Sequence, residues 1–125
     1  MTTPLFISDY TKYVVSDLVG RYLPYETLKK FTAHYQPTVC GISVLEQPIE
    51  LIQVGNGSKK VLMWSQMHGN ESTTTKAVID MLSFLTRSSS SILDCCTLYI
   101  LPMLNPDGVI NGNYRCSLAG CDLNH

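Results

Sequence analysis

The chain is short of charge, basic clusters and long apolar runs, and each shortage excludes a class of function. Charged residues are 15% of the 125 residues, with 9 Lys plus Arg against 10 Asp plus Glu and a net charge of −1. No basic run exceeds the pairs Lys29-Lys30 and Lys59-Lys60. Proteins that grip nucleic acid neutralise phosphates with a basic stripe, so no nucleic-acid partner is expected. No apolar run approaches the roughly 18 residues that span a bilayer, so no membrane partner is expected either. The N-terminus, Met1 to Asp9, lacks the basic start and long apolar stretch of a secretory leader. A cytoplasmic location follows as the expectation.

Cysteine is present but poorly arranged for structural use. Five cysteines, Cys40, Cys95, Cys96, Cys116 and Cys121, are an odd number without a secretory context. Cys95 and Cys96 are adjacent, and bridging them would be strained. The series Cys116, Cys121, His125 lacks the close Cys-x2-Cys knuckle of a structural zinc site, so small thiols are the default reading.

Hydrophobic residues are 45% of the chain, enough to bury a core in one small domain. Residues 8 to 35 have an amphipathic helical pattern, with Tyr13, Val14 and Leu18, then Leu28, Phe31 and Thr32, at three- and four-residue steps. Pro24 suits the start of a second helix there. His34 reads as a solvent-facing residue of that segment. From Val39 the period changes to two. Gly41 to Leu45 and Ile49 to Val54 alternate like strands joined by Gln47-Pro48, an antiparallel hairpin. Gly55, Asn56, Gly57 and Ser58 carry the hairpin-turn signal, because Asn-Gly tolerates positive φ.

Val61 to Ser65 reads as a buried strand, and residues 71 to 87 as the clearest helix. Val78, Met81, Leu82 and Leu85 form its apolar stripe, while Lys76 and Asp80 are expected to point away. The serines from Ser88 to Ser91 end the helix. Thr97 to Leu101 is a second buried strand. Strand, helix and strand make a βαβ unit with a parallel pairing. The fold class is therefore α/β: a mixed sheet with an antiparallel N-terminal hairpin and a βαβ unit, helices packed on it. Residues 1–38 form an N-terminal helical segment and 39–125 the rest. Ligands in such sheets sit beyond the carboxyl ends of parallel strands, which places 66–72 beside 103–108.

The chemistry concentrates in those two loops. His68 ends the first loop and Glu71 opens the helix, with the tight turn Gly69-Asn70 between them. That offset lets an imidazole and a carboxylate converge on one cation, and the positive helix N-terminus favours an ionised Glu71. A loop histidine beside an ordinary first-turn acid would have the same local pattern.

Two longer segments carry a resemblance. Trp64 to Lys76, containing His68, Gly69, Asn70 and Glu71, resembles the zinc-ligand segment of bacterial carboxypeptidase A-like metallopeptidases. Pro102 to Asn124, containing Asn105-Pro-Asp-Gly108, Arg115 and Asp122-Leu-Asn124, is similar to the cytosolic carboxypeptidase branch of that family. The resemblance covers about 60–125. It implies a zinc-dependent metallocarboxypeptidase that hydrolyses C-terminal peptide bonds, with one Zn2+ per complete site and a peptide or protein C-terminus as substrate. It implies His68 and Glu71 as zinc ligands and Asp122 as the acid that accepts a hydrogen bond from the ligand histidine. It implies Arg115 as the residue that polarises the scissile carbonyl, and Asn124 as a holder of the substrate carboxylate. The Asn105 to Gly108 turn is implied to shape the loop that carries Arg115.

Two departures qualify this. The family pattern ends Asp-x-Asn-Arg, whereas His125 stands at the arginine position here, and a neutral imidazole cannot form a bidentate guanidinium–carboxylate pair. Cys121 occupies a position that is usually basic in the cytosolic branch. The family's third zinc ligand, substrate-binding tyrosine and general-base glutamate have no counterpart up to residue 125. Residues 39–125 thus read as the N-terminal part of a carboxypeptidase-like catalytic domain, truncated at the C-terminus. The alternatives are a zinc amidohydrolase of the aspartoacylase type, which shares the His-Gly-Asn-Glu segment, and a non-catalytic fragment or pseudoenzyme.

Overall fold

Four strands make one sheet in the order β1-β2-β4-β3, and the position of β4 in the middle is what creates the candidate site. The computed structural model describes residues 10–88 and 91–125. Helix α1 (Tyr25–Thr32) is followed by a 3-10 turn (Ala33–Tyr35), β1 (Thr38–Ile42), β2 (Pro48–Val54) and β3 (Lys59–Trp64). Then come α2 (Ser72–Arg87), α3 (Ile92–Cys95), β4 (Cys96–Leu101) and α4 (Pro106–Ile110). β1 and β2 pair antiparallel, as expected, with a bulge between Val39 and Gly41. β2 also pairs antiparallel with β4, while β3 and β4 are parallel, Lys59 opposite Cys96 through Trp64 opposite Leu101.

The Gly55 to Ser58 stretch is not a hairpin turn, because β4 lies between the two strands it joins. Its glycines answer a close approach instead. Asn56 N–H and Gly57 N–H donate to the carbonyls of Leu93 and Cys96 at 3.0 and 3.3 Å. A Cβ on Gly57 would lie 1.9 Å from the carbonyl carbon of Cys95, so only glycine admits the start of β4 there.

One face of the sheet is covered by α2. Ile52, Leu98 and Ile100 pack beneath Val78, Leu82 and Leu85, and Met63 is the β3 residue that joins them. β3 itself is an edge strand rather than the buried one expected. Leu62 and Trp64 point to the other face and remain 60% and 51% exposed.

The N-terminal segment also differs from its amphipathic pattern. Residues 8 and 9 lie outside the described residues, Tyr10 is helical, 11–24 form turns, bends and irregular chain, and the next helix begins at Tyr25, directly after Pro24. His34 is exposed and stacks on Tyr35. What holds 10–24 is the stripe of α2 that looked solvent-facing in sequence. Asp80 is buried and accepts from the Tyr10 hydroxyl at 2.7 Å and the Val15 N–H at 2.8 Å. Lys76 Nζ donates to the Gly20 carbonyl, and Ser72 Oγ to that of Arg21. Phe84 meets Tyr13 edge-on, with ring centroids 5.1 Å apart. Residues 72, 76, 80 and 84 share one helix face at four-residue steps. These bonds to α2, with the turn bonds Tyr13 N–H to Tyr10 O and Leu18 N–H to Val15 O, take the place of a continuous helical ladder in the segment. A second core cluster closes this side: Leu23, Tyr25, Leu28, Ile79, Met103 and Val109.

Candidate metal centre

Parallel pairing of β3 and β4 continues past the strand ends and aligns the two loops that follow. Ser65 N–H donates to Leu101 O at 3.0 Å, Leu104 N–H to Ser65 O at 3.1 Å, and Asn105 N–H to Gln66 O at 3.2 Å. Segments 66–72 and 103–108 therefore lie side by side at the carboxyl ends of the strands, as the strand pattern predicts. The first loop turns sharply. Gln66 has φ +52, and its buried amide donates to Gly69 O at 3.1 Å and accepts from Thr75 Oγ1 at 2.6 Å. The turn closes with Glu71 N–H on His68 O, and Glu71 becomes the N-cap residue of α2.

Glu71 does not use its side chain as a cap. Its carboxylate turns toward His68, with Oε2 3.0 Å from Nδ1. The other ring nitrogen, Nε2, lies 2.7 Å from Asp122 Oδ1. Both ring nitrogens face carboxylate oxygens, an arrangement that favours the imidazolium, while the carboxylate on Nε2 is the one that would hold the proton there if a cation took the place of the proton on Nδ1. Arg115 links the two acids: Nε donates to Asp122 Oδ2 at 3.0 Å and Nη1 to Glu71 Oε1 at 3.4 Å. Asn124 N–H adds a third bond to Asp122, on Oδ1 at 3.0 Å, and His125 N–H donates to the Asp122 carbonyl.

These contacts fix the protonation tendencies. The hydrogen bond to Asp122, then the one to Glu71, raises the pKa of His68 above 6.5, against the opposing effects of burial and Arg115. The Asn124 N–H, then His68 and Arg115, hold the Asp122 carboxyl far below its ordinary 3.8. The His68 ring is buried, and Glu71 is half-exposed toward a cleft of about 250 Å3. Trp64, Met67, Thr74 and Asn124 line the cleft with them.

Sequence reasoning thus selected residues that the fold brings together. His68, Glu71, Asp122 and Arg115 form one contiguous array, and Asn124 lines the cleft. His125 is exposed at the margin and joins the array through its backbone. Gln66 and Thr75, which shape the His68 turn, were not singled out. Buried polar side chains inside otherwise apolar strand and helix ends were the available signal.

The donor set suits zinc in kind. An imidazole nitrogen and a carboxylate oxygen converge, with the imidazole tautomer held by a second acid. Among the described residues no group of three or more His, Cys, Asp or Glu is arranged to hold a metal ion, so the pair is a partial set.

A βαβ frame that brings an imidazole and a carboxylate to one open cleft defines an α/β fold with a candidate metal site at the carboxyl ends of its parallel strands. The family can be stated more closely. Residues 25–125 match the zinc carboxypeptidase family model, and the chain belongs to that family. Cytosolic carboxypeptidase 2 of Homo sapiens is 40% identical over 83 residues, which are 64% of this chain and 9% of that protein. Cytosolic carboxypeptidase 1 of Gallus gallus is 49% identical over 55 residues, 44% of this chain and 4% of that one. Among solved structures, the metallo-carboxypeptidase from Burkholderia cenocepacia superposes with a TM-score of 0.70 at 26% identity, covering 83% of this chain and 33% of that chain. The metallo-carboxypeptidase from Pseudomonas aeruginosa in complex with (2-guanidinoethylmercapto)succinic acid gives 0.68 at 27% identity, with 83% and 32% covered. The chain therefore spans about a third of these solved chains and a tenth or less of the curated relatives.

Proposed function

We propose that this chain carries the entry half of a zinc carboxypeptidase centre. His68 Nδ1 and Glu71 are two of its ligands, and the complete centre hydrolyses C-terminal peptide bonds. The observation that carries this reading is the His68–Asp122 contact at 2.7 Å beside the His68–Glu71 contact at 3.0 Å. One acid orients the imidazole while the other shares its free face. When bound, zinc supplies Lewis acidity to the scissile carbonyl and to water. Asp122 holds the tautomer and orientation of His68. Arg115, freed from Glu71, presents a fixed positive charge to the developing oxyanion, and Asn124 offers its amide to the substrate carboxylate from the cleft wall. The same reading takes 39–125 as the N-terminal part of the catalytic domain. It places the chain in the cytoplasm, in keeping with the cytosolic names of its relatives. A third ligand and a general base are needed from further polypeptide, so we expect little peptidase activity from these residues alone.

A second reading is favoured by one specific residue. His125 stands where the family pattern has an arginine, and a neutral imidazole makes a poor partner for a terminal carboxylate. A non-catalytic member would keep the array and lose carboxylate recognition. The aspartoacylase-type alternative has less support, since the relatives matched are carboxypeptidases.

Zinc content after passage through a desalting column, together with hydrolysis of a peptide series with free and amidated C-termini, tests the proposal. Zinc binding that is weak, 1:1 and lost on His68→Ala supports it. Zinc binding unaffected by both His68→Ala and Glu71→Ala would remove the site from these residues. In a form extended to full domain length, His125→Arg is expected to improve turnover of free-carboxylate peptides selectively. Equal gains on amidated peptides would count against the role assigned to that position.

A further inference from the structure

Asn105 is 3% exposed, and its side chain is in contact with both loops of the centre. Its Nδ2 donates toward three backbone carbonyls: Cys116 at 3.1 Å, Met67 at 3.2 Å and Arg115 at 3.4 Å. Its Oδ1 accepts from Gly108 N–H at 2.9 Å. Met67 immediately precedes His68, and the third carbonyl is that of Arg115 itself. An amide has two protons for these three acceptors, so the longest contact shares a proton with a shorter one.

The two loops meet at this point with no side chain between them. A Cβ on Gly69 would lie 2.4 Å from both the Gly108 carbonyl carbon and the Tyr114 carbonyl oxygen. A Cβ on Gly108 would lie 2.7 Å from that same Tyr114 oxygen. Glycine lets the backbones touch, and an amide joins them.

We propose that Asn105 is the positioning residue of the centre: its side-chain amide couples the loop that carries His68 to the loop that carries Arg115. The coupling sets the separation across which Asp122 reaches His68 and Arg115 reaches Glu71. The catalytic meaning of this coupling rests on the metal-centre reading above, but its geometry does not depend on a metal.

The demand is chemically narrow. Aspartate keeps the shape but has only acceptors, so it would turn a carboxylate oxygen toward carbonyl oxygens. Serine is too short to reach both loops and leaves buried carbonyls unpaired, a costly state. Neither change removes apolar packing, which separates positioning from core stability.

The test uses the metal-free, 15N-labelled full chain. In the wild type, the Arg115 Nε–Hε and His68 Nε2–H signals are expected to be shifted and protected by their bonds to Asp122. In Asn105→Asp, exchange of both protons should accelerate at least about 10-fold, while backbone signals of β4 and α2 stay in place. Zinc affinity should fall about 10- to 100-fold, the usual effect of losing a residue that orients ligands. A residue that merely stabilises the fold would lower the urea midpoint and leave those two side-chain signals unchanged in the native state. That result would overturn the inference. Should Asn105→Asp lose its far-UV circular dichroism, Asn105→Ser carries the same measurement. Loss of the fold in both variants makes Asn105 a general stability residue and also overturns it. If the wild type binds no zinc, the metal-centre reading fails, while the metal-free signals still decide the role of Asn105.

Discussion

Replacing Asp122 by asparagine separates a zinc-ligand histidine from one held by chance in an acidic loop. Asp122 receives three donors, from His68 Nε2, Arg115 Nε and Asn124 N–H, at 2.7, 3.0 and 3.0 Å. Two of them share Oδ1 and one uses Oδ2. An asparagine that keeps its oxygen toward His68 and Asn124 turns its NH2 toward Arg115 Nε, donor against donor. Arg115 is then released from this side, and His68 loses the charged acceptor that makes its ring basic and fixes its tautomer. Loss of such an orienting carboxylate lowers metal affinity about 10- to 100-fold.

The pH dependence gives the sharper signature. Zinc and a proton compete for His68 Nδ1, because the ligand must be deprotonated. The hydrogen bond to Asp122 is the largest cause of the raised His68 pKa, so Asp122→Asn moves that pKa back toward 6.5. Below both pKa values the wild type suffers the stronger proton competition, which offsets part of its advantage. Above both values competition vanishes and the full difference appears. The ratio of wild-type to variant zinc affinity is therefore expected to rise with pH through the His68 titration and then level off. Competition with a chromogenic chelator between pH 5 and 9 measures it, with His68 chemical shifts followed in parallel. A ratio of one at every pH, or one that falls as pH rises, would refute the reasoning.

Metal-free stability should have a plateau set by the same pair. The raised His68 pKa gives stability that is complete below 6.5 and lost as pH rises through the folded value, while the lowered Asp122 pKa gives stability that is complete above 3.8 and lost as pH falls through its low folded value. Urea midpoints corrected by a His68→Gln, Asp122→Asn control should thus show a maximal difference between pH 3.8 and 6.5. Gly57→Ala forces a Cβ to within 1.9 Å of the Cys95 backbone, which cannot rotate away, and should cost about 3 kcal/mol or more in urea unfolding. Tyr25→Phe removes the hydroxyl bond to Pro48 O at 2.9 Å and should cost about 1 kcal/mol at neutral pH. It should also abolish an alkaline loss of stability, since burial, with help from Glu50, Glu26 and Asp107, pushes the Tyr25 phenol up to about 12. On the edge strand β3, Leu62→Lys should leave the urea midpoint nearly unchanged, within about 0.5 kcal/mol, as Leu62 is 60% exposed.

What could be read from the sequence was local or carried by long motifs. Pro24 placed the start of α1, the change of period at Val39 marked the sheet, and the strand–helix–strand pattern gave the parallel pair that brings His68 beside Asn105. What could not be read depended on partners distant in sequence. Asn56-Gly57 has the composition of a tight turn whether its flanking strands pair with each other or admit β4 between them. With β4 central, Ile52 and Ile100 are fully buried, an outcome set by partners far from the turn in sequence. Asp80 looked like a surface acid because its partners, Tyr10 and Val15, lie in a segment without regular structure. The apolar run Val61 to Trp64 of β3 resembles that of β4, yet its edge position exposes it, and periodicity carries no information on position in a sheet.

The array is local in a way that bears on how it could form. Four side chains make it, and three of them, those of His68, Glu71 and Arg115, stand on two short stretches, 65–71 and 104–116. Those stretches are aligned by one parallel strand pair. The register of β3 on β4 fixes Ser65 on Leu101, then Asn105 on Gln66, and the Asn105 amide carries that register across to Arg115. Asp107, two residues further on in the first turn of α4, clips the opposite side by accepting from Ser43 Oγ at 2.6 Å and Leu45 N–H at 3.1 Å. The Asn105-Pro-Asp-Gly108 turn is thus bonded to three separate loops, although none of its own side chains reaches the cleft. Preorganisation of the His68–Glu71 pair depends on that turn more than on the exposed β3 edge or the uncovered sheet face. The His68–Glu71 pair is therefore held in place by the strand register and the Asn105 turn, with no metal needed to assemble it.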